Sequence, residues 1–416
     1  MKLTTKFKSI LFSLCAVIVA IAILLSATAI TRSKELDTHY ENYIMQDVLN
    51  NVYIYDYSGR PIYQEGYFCN SELIRLSTFH LVGDKNGSIT NSILCKAVTN
   101  ASECNAFTGY KPQRQEYHLT IDLALQNAAY KLLSEKGFNG CIIVSDYSTG
   151  EIRCMVSTPS LDVYNTDFIE DGAFLNKAAM AYPPGSVFKA ITVAAILEKK
   201  GSAKNFTYNC SRKYNYVSCM SAHKNQTLAE ILSNSCNCGI SACANKYISG
   251  KHLDNYVNKK NILNGEELVE GYKITNGNIN ATTDLWWSAN GQHETLMTPL
   301  SVSAYYNAIA NGGVQKTLFF DKSDESNDKN KLMSKVTAEY ISSSLSAVTR
   351  QKGITVRSFG KTGTAELNDL PSHAWFVCCL TDPLYPSYSI LVFLEHAGSS
   401  SLAVEVAKEF MASNIL

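Results

Sequence analysis

Neither sign of charge is in surplus in this chain. Lysine plus arginine and aspartate plus glutamate each number 37. That leaves no basic face for nucleic acid and no acidic solvating tail. No internal repeat is visible, which sets aside solenoids and propellers. Long apolar runs are scarce too, and only Ile10 to Ile30 qualifies. Its 21 residues match the ~20 needed to cross a bilayer. Lys2, Lys6 and Lys8 precede it, and positive charge there keeps the N-terminus in the cytoplasm. Ala27-Thr28-Ala29 offers the rival of a cleaved signal peptide, but such apolar regions run only ~7–15 residues. The expectation is a cytoplasmic tail over 1–9, an uncleaved single-pass anchor over 10–30 in the cell membrane, and everything beyond it outside.

What is present is enough for a large core. The 416 residues exceed one small domain, and 46% of them are hydrophobic. Thirteen cysteines are many for an exported chain. Cys210 and Cys219 flank a short polar stretch, as do Cys95 and Cys104, so either pair could close a small disulfide loop in an oxidising compartment, with the connectivity left open. Cys236, Cys238 and Cys243 have no histidine at ligand spacing, so no metal site is expected.

Residues 31–117 are polar and rich in tyrosine, with short strand-like runs such as Val52 to Tyr55 and a Ser58-Gly59 turn. They read as a stalk without a catalytic constellation. Composition shifts near Leu119. Thr120 and Asp122 can cap a helix over 123–133. Gly140 to Asp146 and Glu151 to Ser157 read as a hairpin. Helical runs follow over 186–199, 227–247, 298–310 and 336–348, with a charged, solvated loop over 321–331. Strands over 354–364, 373–380 and 388–395 and a closing helix over 399–415 complete the chain. Strands at both ends with helices between them predict an α+β fold with an antiparallel sheet over 118–416.

Three short strings carry the chemistry. Tyr182-Pro183-Pro184-Gly185 leads an extended chain into a helix at Ser186-Val187-Phe188-Lys189. Ser186 is then near a helix N-terminus, which favours a developing oxyanion. Lys189 is one turn on and on the same face, and a desolvated lysine can take a serine proton. Ser235 and Asn237 fall inside the long helical run over 227–247, where Ser and Asn strain local preference. The alternative there is a loop between two helices. Lys361-Thr362-Gly363-Thr364 closes the set. Gly363 removes a Cβ so that a substrate backbone can lie close, Lys361 adds positive charge, and Thr362 and Thr364 offer hydroxyls to a carboxylate. The backbone N–H groups of Ser186 and Thr364 are candidate oxyanion donors. Each string alone has a bland reading as an ordinary helix start, a loop or a strand edge. All three in order form a specific signal.

The three strings resemble the active-site motifs of serine acyltransferases that react with penicillin. Leu119-Thr120-Ile121-Asp122 with Gln126, the Thr149-Gly150-Glu151-Ile152 turn, Gly291-Gln292 before Thr298-Pro299-Leu300, and His373-Ala374-Trp375-Phe376 extend the resemblance to class B penicillin-binding proteins over about residues 118–416. It implies a penicillin-binding transpeptidase fold: an antiparallel sheet flanked by helices, an all-helical subdomain, a short stalk and one membrane helix. It implies a monofunctional D,D-transpeptidase acting on peptidoglycan stem peptides and acylated by β-lactam antibiotics. By matching position, Ser186 is the nucleophile, Lys189 its base and Ser235 the proton relay. Asn237 holds the donor peptide, and Lys361, Thr362 and Thr364, with Gly363 between them, bind its carboxylate. No cofactor or metal is implied, and the expected partner is a polytopic membrane glycosyltransferase of the shape, elongation, division and sporulation family.

The chain departs from the family in its short stalk, and the Arg-Gly string common in such stalks is not recognisable near Asp56. A β-lactamase or β-lactam sensor shares the three strings and differs in whether water reaches the ester. Glu366 lies beside the third string, but its position alone assigns no role. A D,D-carboxypeptidase differs only in its acceptor. A non-catalytic division scaffold is the reading from another class, and the intact nucleophile, base and relay argue against it.

Overall fold

The computed structural model describes residues 2–101, 113–266, 268–324 and 328–416. Helix α1 (Lys2–Asn50) opens the chain. Its segment Lys8–Thr28 has a mean hydropathy of 2.9, and no part of its most apolar stretch is buried by the protein. It is long and apolar enough to cross a membrane. The far end of α1 behaves differently, because Val48 and Leu49 are buried. They anchor it to a small sheet of order β3-β2-β1-β4, made of β1 (Val52–Tyr55), β2 (Pro61–Gln64), β3 (Tyr67–Phe68) and β4 (Gln115–His118). β1 pairs antiparallel with β2 and parallel with β4. The expected boundary after residue 117 therefore falls inside β4. Between β3 and β4 runs α2 (Glu72–Val82), where Ser71 caps by accepting from the Ile74 N–H.

α3 (Leu123–Glu135) begins at Asp122, whose carboxylate accepts the Ala124 N–H at 2.8 Å. Thr120 does not cap; its hydroxyl donates to Ile152 O. α2 packs on α3 through Gln126, which is fully buried. Its amide donates to Ser77 O and Met155 O and accepts from Met155 N–H, so all of its polar surface is used.

The main sheet joins the two halves of the chain. Strands β5 (Gly140–Asp146) and β6 (Ile152–Thr158) come from the first half. Next come α4 (Lys189–Lys199), β7 (Thr207–Cys210), β8 (Lys224–Thr227), α5 (Leu228–Ser233), α6 (Asn237–Tyr247), α7 (Pro299–Ala310) and α8 (Lys335–Gln351). Then β9 (Ser358–Ala365), β10 (His373–Leu380) and β11 (Tyr388–Leu394) return to the sheet, and α9 (Ser400–Asn414) closes the chain. The order is β9-β10-β11-β5-β6, antiparallel throughout. Side chains alternate between two cores, as the pleat requires. Ile142 and Val144 face the α3 and α9 side with Phe376 and Phe410. Cys141 and Ile143 face the α4 and α7 side with Trp375 and Phe393. With both faces covered, the strands read as nearly unbroken apolar runs.

Three expectations change. The run over 227–247 is two helices, broken at Asn234 to Cys236. The loop over 321–331 contains a short strand, Asp328–Lys331, paired with Val314–Lys316. The strand expected from 354 begins at Ser358, and Ile354 instead packs against the α9 side of the sheet.

Candidate active site

Gly185–Phe188 forms one 3-10 turn, and α4 continues from Lys189. Ser186 is half-buried in that turn, and Lys189 N–H donates to Ser186 O. Three neighbours fix the turn. Gly185 N–H donates to Gly291 O at 2.9 Å, Tyr306 OH donates to Val187 O at 3.0 Å, and Trp375 Nε1–H donates to Pro183 O at 3.1 Å.

The third string lies against this turn. β9 is an edge strand, so one row of its backbone groups is not used by the sheet. Gly185 sits at φ +55, and a Cβ there would stand 2.7 Å from Thr364 O. A Cβ on Gly363 would meet Pro184 O at 3.0 Å and Val187 Cγ1 at 3.1 Å. The expectation that Gly363 clears room for substrate is corrected: the room it clears is filled by the chain's own Ser186 turn. Thr362 is half-buried and Thr364 exposed, so their hydroxyls remain available at the surface of the strand.

Lys189 is fully buried. Its Nζ donates to Ser235 O at 2.7 Å, Ser235 Oγ at 3.1 Å and Asn237 Oδ1 at 2.5 Å. Burial lowers the ammonium to about 8, against a smaller opposing effect of nearby thiols. A neutral amine is thus within reach near physiological pH, and its lone pair can accept a proton. Lys361 is also fully buried, and its Nζ donates to Thr362 O at 3.0 Å. Burial and then Lys189 push its ammonium well below the usual lysine range. Lys361 is expected to offer its charge to a substrate carboxylate; among the described residues its Nζ bonds to the strand beside it.

The second string owes its shape to the helix break. Ser235 has φ +57, a left-handed conformation uncommon outside glycine. Cys236 then caps α6, its sulfur accepting from Gly239 N–H. The side chains of Ser235 and Asn237 bond to Lys189 and Ser218, distant in sequence, rather than to the helix ladder, and the break turns Ser235 O and Oγ together towards Lys189. Asn237 Nδ2 donates to Ser218 O at 2.9 Å, which leaves one amide N–H for a ligand.

Ser235 and Asn237 are thus gathered around the buried Lys189 amine, one turn from Ser186, with Thr362 and Thr364 on the strand that touches the Ser186 turn. Tyr306 was not foreseen, since it lies mid-helix among apolar residues and only its hydroxyl hints at a partner. The loop that Cys210 and Cys219 could have closed is open: both are free thiols with sulfurs 3.9 Å apart. Cys104, of the other candidate pair, lies outside the described residues. The cysteines near Asn237 are not without a histidine either, for His223 folds in beside Cys210, Cys219 and Cys236.

The family described as penicillin binding protein transpeptidase domain matches residues 140–412. Peptidoglycan D,D-transpeptidase PbpA of Mycolicibacterium smegmatis is 25% identical over 351 residues, covering 70% of each chain. Peptidoglycan D,D-transpeptidase FtsI of Buchnera aphidicola is 28% identical over 241 residues, covering 54% of this chain but only 42% of that protein. The chain thus spans less than half of that relative. The ceftriaxone acyl-enzyme structure of penicillin-binding protein A from M. tuberculosis shares the fold with a TM-score of 0.70 at 18% identity, covering 89% of this chain and 99% of that one. A match over most of the sheet and all three strings leads to one conclusion: the chain belongs to the penicillin-binding protein transpeptidase domain family.

Proposed function

We propose that this chain is a serine-type peptidoglycan D,D-transpeptidase that cross-links stem peptides ending in D-Ala-D-Ala. The observation that carries this reading is the Lys189 amine, desolvated and held by Ser235 and Asn237 one turn from Ser186. Ser186 Oγ attacks the penultimate D-Ala carbonyl while its proton passes to Lys189. Backbone N–H groups of Ser186 and Thr364 receive the oxyanion. The amide bond to the terminal D-Ala then breaks, and Ser235 delivers the proton to the departing amine. An amine of a second stem peptide attacks the ester, forms the cross-link and returns the proton to Ser186. Asn237 offers its free amide N–H to the donor peptide, and Thr362 and Thr364 take its terminal carboxylate, with Lys361 positioning Thr362. A β-lactam ring is opened by the same attack and leaves a penicilloyl ester.

The chain sits in the membrane through α1, with the site outside; the lysines ahead of the span support that orientation. The site joins peptides and makes no glycosidic bond, so the proposed partner is a polytopic membrane glycosyltransferase. Fluorescent penicillin tests the central reading. The full chain in detergent takes up a lasting label and Ser186→Ala takes up none. Label persisting in that variant would remove Ser186 as nucleophile, and rapid release of the label would instead favour a β-lactamase.

A further inference from the structure

Four side chains that acyl transfer does not use converge directly behind the second string. Cys210 ends β7, Cys219 follows the Val217–Ser218 strand, His223 precedes β8, and Cys236 caps α6. Their donor atoms all lie within 4.8 Å of one another. The Cys210 and Cys219 sulfurs are 3.9 Å apart, and those of Cys219 and Cys236 are 3.8 Å apart. Metal–sulfur bonds of ~2.3 Å in a tetrahedron place sulfurs about 3.8 Å apart, whereas a disulfide brings them to ~2.05 Å. The spacing is that of a tetrahedral edge, repeated at two pairs.

Two further observations point to a bound cation. His223 Nδ1 is buried and has no hydrogen-bond partner among the described residues, which is costly unless something else satisfies it. The Cys238 N–H donates to Cys219 Sγ at 3.4 Å and the Gly239 N–H to Cys236 Sγ at 3.3 Å. Such bonds favour the anionic form of sulfur. Cys238 itself is not a ligand, since its sulfur turns to Val217 O.

We propose that Cys210, Cys219, His223 and Cys236 form a structural zinc site that braces the second active-site string. Three thiolates and an imidazole fill a closed tetrahedral shell and select a soft-accepting, redox-inert ion. Binding releases three thiol protons. The complex carries one net negative charge. It ties four chain segments together at the point where the helix breaks. Ser235 directly precedes the Cys236 ligand, and the carbonyl of Ser218, next to the Cys219 ligand, holds the Asn237 amide. The four ligands are positioning residues for Ser235 and Asn237, because none of them touches the reacting atoms. The metal site stands independently of acyl transfer; only its effect on acylation rests on that reading.

The experiment uses the full chain, purified in detergent without chelator, with metal content read by atomic emission. One zinc per chain is expected. His223→Ala and Cys236→Ser lose it, and Cys69→Ser, far from the site, keeps it. Cobalt replacement gives the ultraviolet thiolate-to-cobalt band and the visible bands of a tetrahedral centre, a readout on the wild-type chain that does not depend on any variant folding. Stripping zinc with dipicolinate lowers the thermal midpoint and slows penicillin acylation, and added zinc restores both. A metal-free chain that keeps its thermal midpoint, a Cys210–Cys219 disulfide in the peptide map, or zinc retained in Cys236→Ser would each overturn the site. Because metal content and the cobalt spectrum are read without penicillin, a chain that binds zinc but takes no label would count against the acyl-transfer reading alone.

Discussion

At the residue scale the decisive group is the Lys189 amine. Its acid constant near 8 makes the base increasingly available as pH rises. The acylation rate should climb with pH through about 8 and level off above it, as read by stopped-flow penicillin binding. Lys189→Ala should slow acylation by ~10²–10⁴ and flatten that climb; an unchanged rate would exclude Lys189 as the base. The same shift has a sign for folding. Between about 8 and the ordinary lysine value of ~10.4 the unfolded chain holds the proton and the folded chain does not, so stability rises with pH across that window. Ser186 and Lys189 were legible because a three-residue spacing fixes a shared helix face whatever the rest of the chain does. Ser235 was legible as a residue out of place, but not its left-handed backbone, which turns its oxygens to the distant Lys189 amine, a contact made only on folding. The depth of Lys361 was hidden for the same reason, since burial is a tertiary property.

Elements decide how closely the turn and the strand approach. The Gly185–Phe188 turn and β9 meet through two glycines, and a methyl group at Gly185 would collide with Thr364 O in a backbone conformation that alanine resists. Gly185→Ala should destabilise the protein by ~1–3 kcal/mol and lower penicillin acylation beyond what lost fold explains. Thermal unfolding and acylation measured on the same sample would separate the two, and full acylation of a stable variant would show that the contact is dispensable. Most elements were readable because their apolar patterns are clean: β5 and β10 fall where short apolar runs of strand length place them, and α7 begins at its Thr298 cap. The failures share a cause. The break before Cys236 and the strand at Asp328 are set by partners distant in sequence, Ser218 and Val314, which local propensity does not see.

Across the whole molecule, α2 and the segment after β6 are tied by one buried ion pair. Arg75 grips Asp162 with both prongs, Nε to Oδ1 at 2.6 Å and Nη2 to Oδ2 at 2.7 Å, and each side chain is only 9% exposed. Arg75→Ala leaves the carboxylate buried and unpaired and should cost ~3–5 kcal/mol in denaturant unfolding; a loss below 1 kcal/mol, typical of exposed pairs, would show the contact to be open to water. The Arg75 hydrogen bonds hold the Asp162 carboxyl below the usual range. Its stabilisation is complete above the unfolded value of ~3.9 and disappears as pH falls through the lower folded value. The unbroken α1 has a consequence at this scale. From Thr28 to Asn50 a helix rising ~1.5 Å per residue is a mast about 33 Å tall, seated in the N-terminal sheet by Val48 and Leu49. Under the proposed anchoring and outward orientation, helix length would set the altitude of the pocket over the lipid surface, and with it the layer of wall within reach.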